Sequence, residues 1–162
     1  MSAVFVTTSR KPSVLTKRFG KLLAKLFPFG VYENRGKMSV GEAAIRASTL
    51  GKERACIIHE VKGNPMKIVF LKSGERWLWL SPELMISKLK FGTAKVEGCE
   101  RIEITGEKKE ELKKLVSPRS REIEADDGCM QLKADEKKIV FSLGKVELLS
   151  MDVEYHEHES NA

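Results

Sequence analysis

Between Ala3 and Val61 the apolar residues switch period four times, and that alternation restricts this chain more than any other feature. Ala3 to Thr7 is β-branched and aromatic, a buried first strand, and Pro12 sits where the first turn of a helix tolerates proline. Leu15, Phe19, Leu22, Leu23 and Leu26 then recur on one helical face, with Lys17, Lys21 and Lys25 on another, until Pro28 and Gly30 stop the run. Val31-Tyr32-Glu33 is a short second strand before the turn Asn34-Arg35-Gly36. Ser39-Val40-Gly41-Glu42 has capping-box spacing. Val40, Ala43, Ala44, Ala47 and Leu50 follow at helical period, and Gly51 is placed to end the helix. A face of alanines lets that helix lie close to a sheet, and Arg54 to Val61 supplies the next strand. The order β-α-β-α-β predicts a parallel or mixed sheet with helices packed on it.

After Val61 the pattern changes to strands. Lys62-Gly63-Asn64-Pro65 and Lys72-Ser73-Gly74-Glu75 are turn signals that separate Met66 to Leu71 from Arg76 to Leu80. Ser81-Pro82-Glu83 reads as the opening of a short helical turn, Arg101 to Thr105 as a strand, and Glu107 to Leu115 as a charged helix. Met130 to Ala134 and Lys138 to Leu143 are strands around a turn at Asp135-Glu136. Ser117 to Asp127 reads as an exposed linker, and the segment from Tyr155 to the end as a disordered acidic tail. The expected organisation is one domain over 1–162, with an N-terminal half at 1–72, a strand-rich half at 73–154 and a tail at 155–162.

Charge is distributed unevenly. Residues 1–40 carry Arg10, Lys11, Lys17, Arg18, Lys21, Lys25, Arg35 and Lys37 against Glu33 alone, a net +7 in a chain whose total is +6. The last eleven residues carry four carboxylates and no Lys or Arg, a net −4. A basic front end suits a polyanion, and RNA suits it better than a membrane surface, because no helix here is rich in exposed aromatics. The most apolar stretch, Ile68 to Leu80, is broken by Lys72, Glu75 and Arg76, so no membrane span is expected, and without a leader-like start the chain is expected in the cytoplasm.

Catalytic signatures are missing. The first strand-to-helix turn, Thr7-Thr8-Ser9-Arg10-Lys11-Pro12-Ser13, is no nucleotide-hydrolase loop, and His59-Glu60 meets Gly63 where a zincin needs its second histidine. His156 and His158 lie two apart in the acidic end, a poor metal site, and Ser13, Cys56 and His59 follow no ordered nucleophile signature. No cofactor or metal is expected. Cys56, Cys99 and Cys129 are far apart and odd in number, consistent with reduced thiols. The Thr7 to Ser13 turn does bring hydroxyls, two cations and helix N-terminal amides together, which is the physics of an anion site; the alternative is that Thr8 or Ser9 only caps the helix. In a parallel sheet Arg35 and Lys37 would emerge at the same edge as Arg10 and Lys11. Phe29, Tyr32, Trp77 and Trp79 are the aromatics available for base stacking, although packing is the commoner use of Trp77 and Trp79.

Val6-Thr7-Thr8-Ser9-Arg10-Lys11-Pro12-Ser13, Asn34-Arg35-Gly36, Ile58-His59-Glu60 and Gly63-Asn64-Pro65, in that order and spacing, resemble the Brix-domain family of ribosome-biogenesis proteins. The likeness is to its short archaeal members, related to the small-subunit processome protein that works with U3 RNA. An H-L-P-x-G-P-T-like block of that family has no counterpart between Trp77 and Pro82. The resemblance implies an α/β fold of two half-domains with mixed sheets, each similar to the anticodon-binding domain of class IIa aminoacyl-tRNA synthetases. It also implies a non-catalytic role in pre-rRNA processing and ribosomal assembly. The residues it designates for RNA are Thr8, Ser9, Arg10, Lys11, Ser13 and Arg35, to which the basic helix adds Lys17 and Lys21 and the second turn Lys37. His59 and Glu60 would be structural. The partners implied are ribosomal RNA or pre-rRNA, with ribosomal proteins or assembly factors beside them. The rival reading is a protein adaptor whose basic helix docks on an acidic surface of such a partner.

Overall fold

The computed structural model describes residues 4–116 and 129–157. Strand β1 (Val4–Thr8) lies between two parallel neighbours, β2 (Val31–Tyr32) and β3 (Arg54–Val61). The intervening helices, α1 (Val14–Leu26) and α2 (Val40–Thr49), cover opposite faces of this trio. Val4 and Val6 join the core under α1, and Phe5 joins Ala43, Ala44 and Ala47 under α2. A strand covered on both faces needs an unbroken apolar run, which is how Val4-Phe5-Val6 reads. The capping box of α2 is complete: Glu42 N donates to Ser39 Oγ at 3.1 Å and Ser39 N to the Glu42 carboxylate.

Lys62 and Gly63, both at positive φ (50° and 79°), make a two-residue turn from β3 into β4 (Asn64–Lys72), so the turn expected over Lys62-Gly63-Asn64-Pro65 narrows and Asn64 and Pro65 join the strand. Then come β5 (Leu78–Trp79), β6 (Glu83–Phe91), β7 (Ile102–Thr105), α3 (Lys109–Val116), β8 (Met130–Ala134), β9 (Lys138–Leu143) and β10 (Val146–His156). Among the described residues the second half follows the strand-helix-strand-strand plan of the first. As β1 precedes a helix and pairs parallel with β3, which then pairs antiparallel with β4, so β7 precedes α3 and pairs parallel with β8, which pairs antiparallel with β9.

Several expectations need correction. In place of two sheets there is one ten-stranded mixed sheet, in the order β2-β1-β3-β4-β6-β10-β9-β8-β7, with β5 beside β4. The join is made by β6, which pairs with β4 at Lys67↔Met85 and Ile68↔Leu84 and with β10 along most of its length. Where Ser81-Pro82-Glu83 suggested a helical turn, Glu83 begins strand β6: its helix-forming residues are overridden by two antiparallel partners and by Leu84 and Ile86 alternating into the core. Arg76 to Leu80 shortens to Leu78–Trp79. Tyr155 and His156, expected in a tail, end β10, and Tyr155 Oη donates to Asp135 O at 2.9 Å. The linker expected at 117–127 and the segment 158–162 lie outside the described residues.

The core under α1 is continuous across both halves. Leu112, Leu115 and Val116 of α3 belong to it together with Phe19, Leu23 and Leu26 of α1. Phe27, just past α1, stands at the junction, edge-on to Phe70 of β4 (centroids 6.2 Å apart) and to Phe141 of β9 (5.8 Å). Replacing this 2% exposed ring removes contacts to both halves at once. Phe27→Ala is therefore expected to lower stability by about 3–5 kcal/mol. In a denaturant titration the wild type should show one transition, coincident by fluorescence of Trp77 and Trp79, which pack against the α2-side core, and by far-UV circular dichroism. Two separated wild-type transitions would contradict a shared core.

Candidate nucleic-acid interface

The turn from β1 into α1 is tied down at both ends. Ser9 N donates to Ile58 O at 2.8 Å, carrying the β1–β3 pairing one step further, and Lys11 adopts φ 53° before the helix begins. The N-cap of α1 is Ser13, not Thr8 or Ser9: its Oγ accepts from Thr16 N at 3.1 Å and donates to Gly63 O at 2.7 Å. The Glu60 carboxylate accepts from Ser13 N at 3.0 Å and from the Thr16 hydroxyl. Those hydrogen bonds hold the Glu60 carboxyl below its ordinary range. A carboxylate of the protein itself thus sits at the start of α1, where the sequence suggested an external anion. Thr8 is fully buried, with its hydroxyl on Ser9 O at 2.9 Å, and Thr7 donates to Glu33 O at 2.8 Å. The hydroxyls of Thr8 and Ser13 therefore serve the fold. Ser9 is half-buried, and Arg10 and Lys11 are exposed.

Arg35 is 7% exposed. Its Nε donates to Met38 O at 2.7 Å and one Nη to Thr8 O at 3.0 Å, so the guanidinium pins the end of β1 to the start of α2. It is a buried tie, in contrast to the exposed phosphate contact the sequence suggested. Burial pushes its pKa down and the neighbouring Arg10 pushes it further, so Arg10 and Arg35 do converge as parallel strands require. Lys37 is exposed in the turn after Gly36. Glu33, the sole acid of residues 1–40, is engaged by Arg46 through two 2.9 Å contacts and does not neutralise this edge.

The outer side of α1 forms an open groove with the connection between β6 and β7. Lys17, Arg18, Lys21, Lys25 and Lys95 line it around Val14, Leu22 and Val96, and none of its lining residues is acidic. Arg18 lies over the Phe91 ring, 4.3 Å from its centroid, which holds the guanidinium against the second half. Lys17 and Lys21 are where the helical stripe put them. Lys25 belonged to that stripe and Arg18 to the basic front end without being singled out. Lys95 carries no local signal, because only the sheet's closure brings its loop to α1. Lys95 also lies 3.7 Å from Glu97, an exposed pair of little energetic weight. Trp77 and Trp79 pack edge-to-face at 5.4 Å against the α2 core, and Tyr32 packs beside Gly20; Phe29 is 40% exposed.

Among the described residues no helix is long and apolar enough to cross a membrane, and no group of His, Cys, Asp and Glu is placed to hold a metal; His158 lies outside them. The three cysteines are free, and burial raises the pKa of both Cys56 and Cys99, the latter to about 11.

No family model matches the sequence. Curated relatives do. A probable Brix domain-containing ribosomal biogenesis protein of Archaeoglobus fulgidus is 44% identical over 87 residues, 53% of each chain. The matched segments cover 31% and 33% of the longer relatives of that description from Pyrococcus abyssi and Thermococcus kodakarensis. The U3 small nucleolar ribonucleoprotein protein IMP4 of Bos taurus is 35% identical over 66 residues, 41% of this chain and 23% of its own. Among solved structures, Mil, an archaeal Imp4-like protein, superposes with a TM-score of 0.71 at 26% identity, covering 95% of this chain and 99% of its own. A probable ribosomal biogenesis protein from Aeropyrum pernix shares the fold, with a TM-score of 0.79 at 20% identity over 99% and 98% of the two chains.

Two substitutions test the roles assigned to the turn. Arg35→Ala leaves the carbonyls of Thr8 and Met38 without a donor and is expected to cost about 1–3 kcal/mol by urea denaturation. Glu60 has a folded-state pKa below its unfolded one, so its contribution is present above the ordinary carboxylate range and disappears as pH falls through the folded value. Glu60→Gln should accordingly be less stable than wild type at neutral pH, with the difference closing below about pH 4.

Proposed function

This chain belongs to the Brix-domain family of ribosomal biogenesis proteins, and from that membership we propose that it is an RNA-binding assembly factor that helps pre-rRNA fold and mature without catalysing a reaction. The observation that carries this reading is the groove along α1, where five cations and no carboxylate line one open surface. Such a surface binds phosphate backbones with little regard to sequence and releases counterions as it does so. Lys17 and Lys21 contact phosphates there, with Arg18, Lys25 and Lys95 beside them, and Arg10, Lys11, Ser9 and Lys37 extend the contact onto the turns at the sheet's edge. Thr8, Ser13 and Arg35 act at one remove by holding those turns. The family is generally non-catalytic. A cytoplasmic site of action follows from such a role. The repeated strand-helix-strand-strand plan supports two related halves in the sense of paired anticodon-binding-domain folds, divided near residue 72, although one sheet and one core run through both.

A second reading draws on the groove's floor. Val14 is 84% exposed, and with Leu22 and Val96 it offers apolar area between the cations, which suits an acidic amphipathic segment of a ribosomal protein or assembly factor. Salt-dependent binding of rRNA fragments, followed by fluorescence anisotropy, separates the two. For RNA, Lys17→Gln/Lys21→Gln/Lys25→Gln should fold normally, bind more weakly and lose about two units of the slope of log K against log salt. Wild-type protein that binds no fragment would transfer the groove to a protein partner.

A further inference from the structure

Basic side chains also collect on the opposite face of the sheet, where β1 and β3 end beside the start of α2. His59 follows Ile57 of the α2-side core by two residues and so points to that face. It stands directly across the β3–β4 pair from Lys67. Arg35 approaches from the other side of β1, through its bonds to Thr8 O and Met38 O, and the charge of Arg10 acts on Arg35. The charges of Lys67 and Arg35 both reach His59. The acid that meets this cluster is Glu83 of β6, 3.7 Å from Lys67 Nζ. Glu33 is held by Arg46, Glu60 by the start of α1, and Glu42 by its capping box. Three permanent cations therefore face one carboxylate.

The imbalance matters because Arg35 is almost completely desolvated. Its two hydrogen bonds go to neutral carbonyls, and no ion pair neutralises it among the described residues. A buried charge is ordinarily balanced by an opposite one, so a surplus of cations at a sheet edge points to an anion that arrives from outside. We propose that Arg10, His59 and Lys67, backed by the buried charge of Arg35, form a phosphate-binding site at this end of the sheet, on the face opposite the α1 groove. It rests on the RNA reading for the source of its ligand, a backbone phosphate, while the chemistry is that of any phosphate group.

His59 gives the pocket a readout. Burial first, then Lys67 and Arg35, hold its pKa below the usual imidazole range, with Glu83 opposing, so the free protein carries it neutral at pH 7. A phosphate beside the ring screens both cations and accepts a hydrogen bond from the imidazolium, so binding takes up a proton. Affinity then rises as pH falls, by at most about tenfold per pH unit for one proton. The charged groups acting on the ring are Lys67 on β4, Arg35 from the β2–α2 turn and Glu83 on β6.

The experiment is an NMR titration of the His59 imidazole, with inorganic phosphate and separately with a short single-stranded oligouridylate. It is run on wild type, Lys67→Gln and Lys17→Gln/Lys21→Gln. Alongside it, RNA affinity is measured from about pH 7.5 to about pH 6 for wild type and His59→Gln. Both ligands are expected to raise the His59 pKa by about one unit in wild type, and phosphate to do the same in the α1 variant; in Lys67→Gln the rise should be much smaller. Wild-type RNA affinity should climb several-fold over that range, and His59→Gln should flatten the climb. A shift with phosphate but not with RNA supports the pocket and counts against RNA as its source. A His59 that neither ligand moves overturns the pocket, and RNA binding that persists in that case leaves the α1 groove standing alone.

Discussion

Phe27 holds the two halves of this molecule to one another. Its ring meets Phe70 on one side and Phe141 on the other, at the point where α1 gives way to the loop before β2. Everything basic about α1 depends on that anchorage: the helix presents Lys17, Lys21 and Lys25 outward because Phe19, Leu23 and Leu26 are drawn into a core that the second half completes. The same closure carries Lys95 and the Arg18–Phe91 contact to the groove. A surface assembled from both halves cannot form on either alone.

Charge placement follows from what the fold consumes. Glu60 is spent on the start of α1, Glu33 on Arg46 and Glu42 on its own helix, so these three acids of the first half are engaged before any ligand arrives. What remains on both sides of the sheet edge is cationic. Arg35 shows how function and stability are entangled there, since one guanidinium closes the β1–α2 joint and leaves its charge in a region of low dielectric beside Arg10. An anion binding next to such a charge meets donors that are already oriented, and reorganisation is small.

The first seventy residues were legible because their signals are local. Helical period, the capping box at Ser39 and the buried run Val4-Phe5-Val6 each depend on neighbours in the chain, and each holds in the structure. Strand β6 was not legible: Ser81-Pro82-Glu83 resembles a helix start, and only antiparallel partners on both sides make Glu83 to Phe91 extended. Strand β10 was not legible either: no strand is expected over Val146–His156 from the sequence, and Tyr155, read as tail, gains its place through a bond to Asp135 that no local pattern announces.

By itself the sequence determined which segments are helix or strand in the first half, where the positive charge lies, and which family the chain resembles, because propensity, periodicity and charge are properties of adjacent residues. Tertiary structure alone decided that two halves share one sheet and one core, that Glu60 takes the helix start while Arg35 is buried, and that Lys95 and Arg18 complete the α1 groove. Those outcomes depend on long-range pairing and on which groups lose water when distant segments meet, and neither quantity is written in any single stretch of the chain.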